Sequence, residues 1–239
     1  MKPIKKVLFC KGIFYYWKEG DLHTDKGVIK EEALKKAKEE VTAVSGEIFR
    51  VFEPTFIDLL AKMKRGPQIM IPKDVGLIFS RTNLDKDSIV VEAGTGSGAS
   101  AMHLARFVKK VISYERREEF HQVAKENVEF FEAKNVTLKL ADIENGIEEK
   151  NVDLILLDLA EPWKVIEQSY NALKQGRYLA IYLPNITQML HFVQKAQEKF
   201  YIEYVGEVLE REWHIEEKRV RPQSSMIAHT AFLCFARKL

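Results

Sequence analysis

The fold of this chain is decided by the stretch Ile89-Val90-Val91-Glu92-Ala93-Gly94-Thr95-Gly96-Ser97-Gly98-Ala99, in which an apolar segment runs into a glycine-rich turn. Ile89–Glu92 is typical of a short buried strand, and Gly98–Phe107 has the pattern of a helix. Glycines let the backbone turn tightly, and the following helix directs free N–H groups at the same place. The turn alone is weak evidence, because Gly94-x-Gly96-x-x-Ala99 also fits a dinucleotide-binding fingerprint and a tight turn can bind nothing.

Strands and helices alternate on the C-terminal side of residue 67. The predicted strands are Ile89–Glu92, Lys110–Tyr114, Val136–Leu140, Val152–Leu157, Tyr178–Leu183, Tyr201–Glu212 and His229–Ala236, and the predicted helices are Gly98–Phe107, Glu118–Ala133, Lys164–Leu173 and Ile186–Lys199. This alternation predicts an α/β fold with a doubly wound, mainly parallel, seven-stranded sheet. Ligands of such sheets bind beyond the carboxyl ends of the strands, so the residues that follow each strand are the candidates for chemistry.

Carboxylates occupy the ends of four successive predicted strands: Glu92, Glu115, Asp142 and Asp158. Such a set repels the pyrophosphate of a dinucleotide but suits a ligand that carries a positive charge. A sulfonium that bears an adenosine and an amino-acid tail is a ligand of this kind. Glu115 can accept both ribose hydroxyls there, and Asp142 can accept the adenine amino group.

The first part of the chain differs from the rest and predicts a separate domain. Its short aromatic β-prone runs are Val7–Phe9 and Ile13–Trp17, and a third strand is expected over Ala43–Phe52. Lys30–Glu40 and Thr55–Lys64 have helical patterns. We therefore expect a small, mostly β domain over residues 1–65 and the α/β domain over residues 66–239.

Composition narrows the class of protein. The 239 residues include 46% hydrophobic and 30% charged side chains, which is typical of a globular protein. The apolar run Ala231–Ala236 is six residues long, whereas a membrane span needs about 20. With two cysteines, Cys10 and Cys234, no disulfide framework is expected, and the histidine spacing predicts no metal site. We expect a soluble cytoplasmic protein whose net charge of +2 neither implies nor excludes a nucleic-acid partner.

Several further motifs recur in one order, and together they resemble a known family. They are Phe52-Glu53-Pro54-Thr55, Gln68-Ile69-Met70-Ile71-Pro72-Lys73-Asp74, Glu92–Gly98, Ser113-Tyr114-Glu115-Arg116, Asp158-Leu159-Ala160-Glu161-Pro162-Trp163, and Arg221-Pro222 followed by His229-Thr230-Ala231-Phe232-Leu233. This set resembles the tRNA adenine-N1 methyltransferases, class I S-adenosylmethionine-dependent enzymes that modify T-loop position 58, with archaeal members also acting at 57. The resemblance implies a Rossmann-like methyltransferase fold, tRNA as the partner and a homotetramer.

The resemblance also implies roles for individual residues. The methionine part of S-adenosylmethionine is expected along the glycine-rich turn, at Gly94, Gly96, Ser97, Gly98 and Ala99. The ribose is expected at Glu115, with Phe120 packed nearby, the adenine at Asp142, and Gln68 in a segment that closes over the cofactor. Asp158 is expected to be the catalytic residue beside the cofactor and the target base.

Three positions depart from the family pattern on the side of the target base. Ile71 replaces a tyrosine, Ala160 replaces a proline, and Ser225-Met226 stands where an Arg-Met pair is expected. Trp163 is expected either to stack on the base or to pack as part of the wall. Phosphate contacts are expected from basic clusters, at Lys2/Lys5/Lys6/Lys11, Lys62/Lys64/Arg65, Arg106/Lys109/Lys110 and Arg211/Lys218/Arg219/Arg221.

Three other interpretations stay open at the level of sequence. A small-molecule methyltransferase on the same fold would not require the β domain or the basic clusters. A non-catalytic RNA-binding subunit fits Ile71 and Ala160 but not the intact glycine-rich turn. An NAD-dependent oxidoreductase would use the Gly94-x-Gly96-x-x-Ala99 fingerprint but would leave Asp142 and Asp158 without a role.

Overall fold

The computed structural model describes residues 2–66 and 68–239. Contacts between Cα atoms divide these residues into two units. The first unit comprises the described residues up to Lys64 together with Glu129–Glu132, and the second comprises those of Arg65–Val128 and Ala133–Leu239. Each unit contains its own sheet, and the two are described separately below.

The first unit is built mainly from short antiparallel strands. Its elements are β1 (Lys6–Cys10), β2 (Ile13–Trp17), β3 (Leu22–Thr24), β4 (Gly27–Ile29), α1 (Glu31–Lys36), β5 (Glu40–Thr42), β6 (Ile48–Phe52) and α2 (Phe56–Lys62). Four of the strands form a sheet in the order β2-β1-β6-β5, and its core contains the fully buried Leu8, Leu34 and Phe49. The single strand expected over Ala43–Phe52 was wrong, because Gly46 adopts φ +90° and turns the chain between β5 and β6.

The second unit contains the alternating elements. They are α3 (Pro72–Thr82), β7 (Ile89–Ala93), α4 (Ala99–Ala105), β8 (Lys110–Glu115), α5 (Glu118–Phe130), β9 (Val136–Leu140), β10 (Val152–Leu157), α6 (Ile166–Ala172), β11 (Leu173–Leu183), α7 (Ile186–Ala196), β12 (Phe200–Gly206), β13 (Trp213–Glu216), β14 (Arg219–Pro222) and β15 (Phe232–Lys238), with short 3₁₀ turns at Ile143–Asn145 and Pro162–Val165.

Seven of these strands form one sheet in the order β12-β15-β11-β10-β7-β8-β9. The pairs among β11, β10, β7, β8 and β9 are parallel, whereas β15 runs antiparallel to both β11 and β12. This confirms the predicted doubly wound, mainly parallel, seven-stranded sheet. The strand order reverses between β7 and β10, and a crevice for a ligand lies beyond the carboxyl ends of strands at such a point.

Two features of the second unit were not expected from the sequence. The segment after residue 67 contains α3, whose helix begins with Pro72 at its first turn, a favourable position for proline. The polar connection between the last two strands of the sheet forms the hairpin β13–β14, in which Trp213 pairs with Pro222 and Ile215 pairs with Val220. Within the described part of the chain, every helix is too short or too polar to cross a lipid bilayer.

Candidate functional site

The glycine-rich turn joins β7 to α4 at the crevice of the sheet. Gly94, Gly96 and Gly98 have φ values of +86°, +54° and +81°, a backbone region that residues with a Cβ atom rarely adopt. A Cβ atom at Gly94 would lie 2.1 Å from the backbone oxygen of Asp158. The backbones therefore meet directly at the ends of β7 and β10, where the Asp158 N–H also donates to the Ala93 carbonyl at 2.9 Å.

Glu115, at the end of β8, is bonded to the same turn. Its carboxylate accepts hydrogen bonds from the Gly96 N–H on Oε2 at 3.0 Å and from the Arg117 N–H on Oε1 at 3.0 Å. The residue is 4% exposed and faces a cavity. Oε1 also accepts a long hydrogen bond from Arg117 Nε at 3.4 Å, so the lone pair left free for a ligand hydroxyl in that cavity is on Oε2.

Asp142 lies after β9 and shapes the next loop. Its Oδ1 accepts the Glu144 N–H at 3.0 Å and so caps the 3₁₀ turn Ile143–Asn145. Its other oxygen lies 3.5 Å from Arg116 Nη1, which is an exposed and therefore weak ion pair. Asp142 thus keeps acceptor capacity toward the cavity that it lines with Glu115.

Two adjoining cavities open at this edge of the sheet. The first, of about 240 Å³, is lined by residues that include Glu115, Asp142 and Asp158. The second, of about 290 Å³, is lined by Gln68, Ile69, Met70, Gly94, Thr95, Gly96, Ser97, Ala99, Ser100, Arg117, Asp158, Tyr182, Pro184 and Thr230. Gly94, Arg117 and Asp158 line both cavities, so a ligand can extend from one into the other across Asp158.

Asp158 has an unusual electrostatic environment for a carboxylate. Solvent reaches it through the open cavities, yet the surrounding walls withdraw enough water to raise its pKa to about 6. The group is therefore mainly ionised at pH 7. A carboxylate in so poorly solvated a position interacts strongly with any cation or donor hydrogen placed beside it.

Glu92 lies beneath the glycine-rich turn, 2% exposed. It accepts hydrogen bonds from the Ser100 and Ser113 hydroxyls, each at 2.7 Å. Burial raises its pKa to about 7 against the effect of the two serines, and the charge of Asp158 raises it further. Glu92 lines neither cavity, so its side chain contacts α4 and β8 rather than a ligand.

The remaining residues expected at the cofactor lie around the turn. Phe120 packs close to Gly66, where an added Cβ atom would lie 3.3 Å from the Phe120 ring and 4.0 Å from the Cβ atom of Ser97. The Arg117 guanidinium stacks 3.9 Å from the centre of the Phe120 ring. Gly98 lies at the cap of α4, where its carbonyl accepts the Met102 N–H at 2.9 Å.

A buried polar network lies beside the second cavity, and its role was not predicted from the sequence. Asp74 is fully buried and forms an ion pair with Lys73, with Nζ 2.6 Å from Oδ1. Its Oδ2 accepts hydrogen bonds from the Thr230 hydroxyl at 2.8 Å and from the Tyr182 hydroxyl at 3.1 Å. Lys73, Asp74 and Thr230 were noticed only as motif residues, and Tyr182 was unremarkable within an apolar strand.

The rim of the second cavity is held by a histidine. His229 contacts the Pro184 carbonyl through Nε2 and the Glu207 carboxylate through Nδ1, each at 2.8 Å. Only the doubly protonated ring can donate to both acceptors, and Glu207 together with the carbonyl raises the pKa of His229. The charged ring thereby ties Pro184, a cavity residue, to the loop after β12.

The structure also separates residues that the sequence grouped together. Trp163 packs against the core and the His191 ring, with ring centres 4.5 Å apart, and lines neither cavity, so of its two expected roles it has wall packing. Ile71 lines a third cavity, of about 320 Å³, with Met226 among its neighbours, whereas Ala160 lines the first.

Among the described residues, no cluster of His, Cys, Asp or Glu side chains is arranged to hold a metal ion.

Comparison with protein families gives one match that covers most of the chain. The family described as tRNA methyltransferase complex GCD14 subunit matches residues 51–221. The tRNA (adenine(57)-N(1)/adenine(58)-N(1))-methyltransferase TrmI of Methanocaldococcus jannaschii is 37% identical over 246 residues, covering 90% of this chain and 86% of that protein. The tRNA (adenine(58)-N(1))-methyltransferase TrmI of Thermus thermophilus is 40% identical over 230 residues, covering 92% and 90%.

Solved structures with the same fold include two that cover the whole chain. A SAM-dependent O-methyltransferase from Thermotoga maritima superposes with a TM-score of 0.87 at 34% identity and is covered over 94% of its length. The tRNA (m1A58) methyltransferase TrmI from Aquifex aeolicus superposes with a TM-score of 0.83 at 30% identity and is covered over 98%.

Proposed function

The chain belongs to the family of S-adenosylmethionine-dependent tRNA (adenine-N1)-methyltransferases, and we propose that its target is N1 of adenine 58 in the T loop, with adenine 57 as a second target. One observation carries this proposal: Asp158 lines both a cavity suited to a nucleoside and the cavity beside it. A methyl donor on one side of this carboxylate and an acceptor base on the other would meet there.

Mass spectrometry of nucleosides from tRNA incubated with the protein and S-adenosylmethionine tests the proposal. We expect 1-methyladenosine, located by fragment mapping at position 58, or at 57 and 58 in tRNAs that carry adenine at both. Transcripts with the adenine at 57 or 58 replaced by guanine separate the two positions. Absence of 1-methyladenosine from every tRNA would contradict the assignment of the substrate.

The residues around the first cavity fit a positively charged adenosine ligand. Glu115 would accept one ribose hydroxyl on the lone pair of Oε2 that Gly96 leaves free and the other on Oε1, in place of the long contact with Arg117 Nε. Asp142 would accept the adenine amino group. Gly94, Gly96, Ser97, Gly98 and Ala99 would surround the methionine part where it extends past Asp158 along the wall of the second cavity. Phe120 would pack near the ribose, and Gln68 would lie in the segment that closes over the cofactor. Calorimetry with S-adenosylhomocysteine and NAD tests this set, because heat from NAD alone would favour the oxidoreductase interpretation.

The proposed chemistry requires alignment more than proton transfer. S-adenosylmethionine, when bound, supplies a methyl group that its sulfonium already activates. N1 of adenine attacks with an in-plane lone pair, so no residue has to remove a proton first. Holding the reacting atoms in line can contribute about 7–11 kcal/mol in favourable cases. The base becomes cationic on methylation, and Asp158 would stabilise that charge by accepting a hydrogen bond from the N6 amino group.

Recognition of tRNA is proposed to involve the hairpin β13–β14. On one of its faces the paired residues His214 and Arg221, and Glu216 and Arg219, carry the polar side chains. Reversing the charge of Arg219 and Arg221 should weaken binding of all tRNAs alike and reduce its salt dependence. The same reversal at the exposed Lys86 and Lys150 is the control. Equal effects of the two double variants would remove the hairpin from the interface.

Oxygen methylation is the second candidate, because one of the structural relatives is described as an O-methyltransferase. A neutral hydroxyl acceptor must lose its proton during transfer, and Asp158 would then act as the base. The two candidates are separated by the product, since a methyl ether differs from 1-methyladenosine by mass spectrometry. Methylation of a hydroxyl acceptor, with none of tRNA, would support this second candidate.

Three further expectations are retained as proposals. The first is a domain boundary near residue 65, which limited proteolysis tests by cleavage in that segment. The second is a homotetramer, which light scattering after gel filtration tests by mass. The third is a cytoplasmic location, supported by two cysteines, Cys10 and Cys234, that are both free and buried; fractionation of the source cells tests it.

A further inference from the structure

The network of Lys73, Asp74, Tyr182 and Thr230 fixes the direction of its hydrogen bonds. An ionised carboxylate only accepts, so Tyr182 and Thr230 must each donate their single hydroxyl hydrogen to Asp74 Oδ2. Lys73 only donates, to Asp74 Oδ1 at 2.6 Å and to Thr230 Oγ1 at 2.8 Å. The Tyr182 hydroxyl is left with lone pairs alone for any further partner.

Tyr182 is also kept in its neutral form. Burial and the charge of Asp74 raise its pKa, and Asp158 adds to that effect. The phenol therefore cannot act as a base, and its O–H stays directed at Asp74. Tyr182 and Asp158 both line the second cavity.

We propose that Asp74 is a positioning residue that orients the Tyr182 hydroxyl as an acceptor, and that Tyr182 so oriented selects a target base by its exocyclic amino group. The inference rests on the proposed function and deepens it. An adenine amino group carries two hydrogens, and the cavity offers an acceptor for each, one on Asp158 and one on Tyr182. A 6-oxopurine presents a carbonyl there, which meets lone pairs instead of donors.

The two acceptors are expected to make the enzyme discriminate between target bases, in addition to any effect on the rate of methyl transfer. A buried acceptor that loses its donor is left unpaired, and enzymes that bind a substrate group by a hydrogen bond reject analogues that lack it. Purine riboside retains the N1 lone pair but has no amino group, so it isolates recognition of that group from the chemistry at N1. We expect the wild-type enzyme to prefer adenosine over purine riboside at the target position by about 100-fold in kcat/KM.

The test measures this ratio in T-loop RNAs that carry adenosine or purine riboside at the target position. The ratio is internal to each variant, so a fall in the folded fraction does not change it. Tyr182→Phe should reduce the preference about 10-fold, because one of the two acceptors is gone. Tyr178→Phe, on the same strand but outside both cavities, should leave it unchanged.

Asp74 is tested by the double variant Lys73→Met, Asp74→Asn, which leaves no buried charge unpaired and so favours folding. The asparagine amide can donate to Tyr182 and release its hydrogen, so the preference should again fall about 10-fold. An unchanged ratio in Tyr182→Phe would overturn the selection by Tyr182, and an unchanged ratio in the double variant would overturn the positioning by Asp74. Failure of the wild type to methylate adenosine RNA would instead overturn the proposed function, and with it this inference.

Discussion

Two buried carboxylates on opposite sides of the site have different partners. Glu92, under the glycine-rich turn, is bonded only to the hydroxyls of Ser100 and Ser113, and its pKa is raised to about 7. Asp74, beside the second cavity, is fully buried but has the Lys73 ammonium 2.6 Å away. Neutral donors only partly replace water around an anion, whereas a cation compensates its charge directly.

The difference separates two uses of a buried acid. Glu92 can bind a proton near neutral pH while it stays in contact with Ser100 on α4 and Ser113 on β8, so its charge is adjustable. Asp74 has the Lys73 ammonium as its counterion and accepts hydrogen bonds from two hydroxyl groups. The proposed cofactor side, around the glycine-rich turn, is thus built on backbone geometry with an adjustable charge beneath it. The proposed acceptor side, around Asp74 and Tyr182, is built on a buried ion pair.

The largest expected effect comes from removing the negative charge of Asp74 from the buried ion pair with Lys73. Asp74→Asn leaves the Lys73 ammonium buried without its partner and should lower the free energy of unfolding by about 3–5 kcal/mol. The double variant with Lys73→Met should recover most of that loss. Urea unfolding followed by fluorescence measures both. Equal stability of the single and double variants would show that the ion pair is not what Asp74 contributes to stability.

Asp158 lines both cavities, so variants at this position test whether methyl transfer depends on its charge. Asp158→Asn keeps the size of the side chain but removes its charge, and it should lower methyl transfer about 10²–10³-fold while tRNA binding changes little. Single-turnover kinetics and a filter-binding assay measure the two quantities. Glu161→Gln, at the wall of the first cavity, is the control. Near-normal turnover in Asp158→Asn would exclude its catalytic role.

The dependence of the cofactor side on backbone geometry is tested at two glycines of the same turn. Gly94→Ala brings a Cβ atom 2.1 Å from the Asp158 carbonyl at a φ of +86°, and it should cost about 2–4 kcal/mol of stability. Gly98→Ala has a similar φ of +81° but an ordinary contact of 3.6 Å with Ala124, so only the strain of about 1 kcal/mol is expected. Thermal unfolding distinguishes them, and equal losses would contradict the close approach.

Glu92 gives an effect that depends on pH. Its folded-state pKa of about 7 lies above the ordinary value of 4.5, so the folded protein holds a proton that the unfolded chain releases. The contribution of Glu92 to the free energy of unfolding is therefore lost as pH rises from about 4.5 to 7, and this loss amounts to about 3 kcal/mol. Glu92→Gln does not titrate and should be more stable than the wild type at pH 8 but not at pH 4. Glu118→Gln, an exposed change on α5, should show no such divergence.

The residues around the glycine-rich turn could be grouped from sequence because they follow strands. Glu92, Glu115, Asp142 and Asp158 each stand at or just after a strand end, and parallel strands bring their carboxyl ends to one edge. The glycines of the turn carry their own signal, since positive φ values favour them. The seven-stranded, mainly parallel sheet followed from the alternation of elements and the resemblance together, whereas the order of its strands was not predicted. The single strand expected over Ala43–Phe52 gave too little weight to the turn at Gly46.

The acceptor side could not be assembled in the same way. Asp74 meets Thr230 across 156 positions and Tyr182 across 108, and no local pattern records such contacts. Tyr182 stands within an apolar strand, where a tyrosine is ordinarily core. Trp163 shows the opposite case, because an aromatic residue beside a motif acid suggested stacking on the base, whereas tertiary packing against His191 determines its position.

The place of β15 in the sheet has a consequence for the order in which the chain can fold during synthesis. β12 pairs only with β15, which itself pairs with β11, so residues 200–206 have no place in the sheet until residues 232–238 have left the ribosome. Thr230, which completes the network around Asp74, arrives at the same late stage. A nascent chain therefore carries its glycine-rich turn long before it can close the acceptor side, and its unpaired β11 edge is open to a chaperone in the interval.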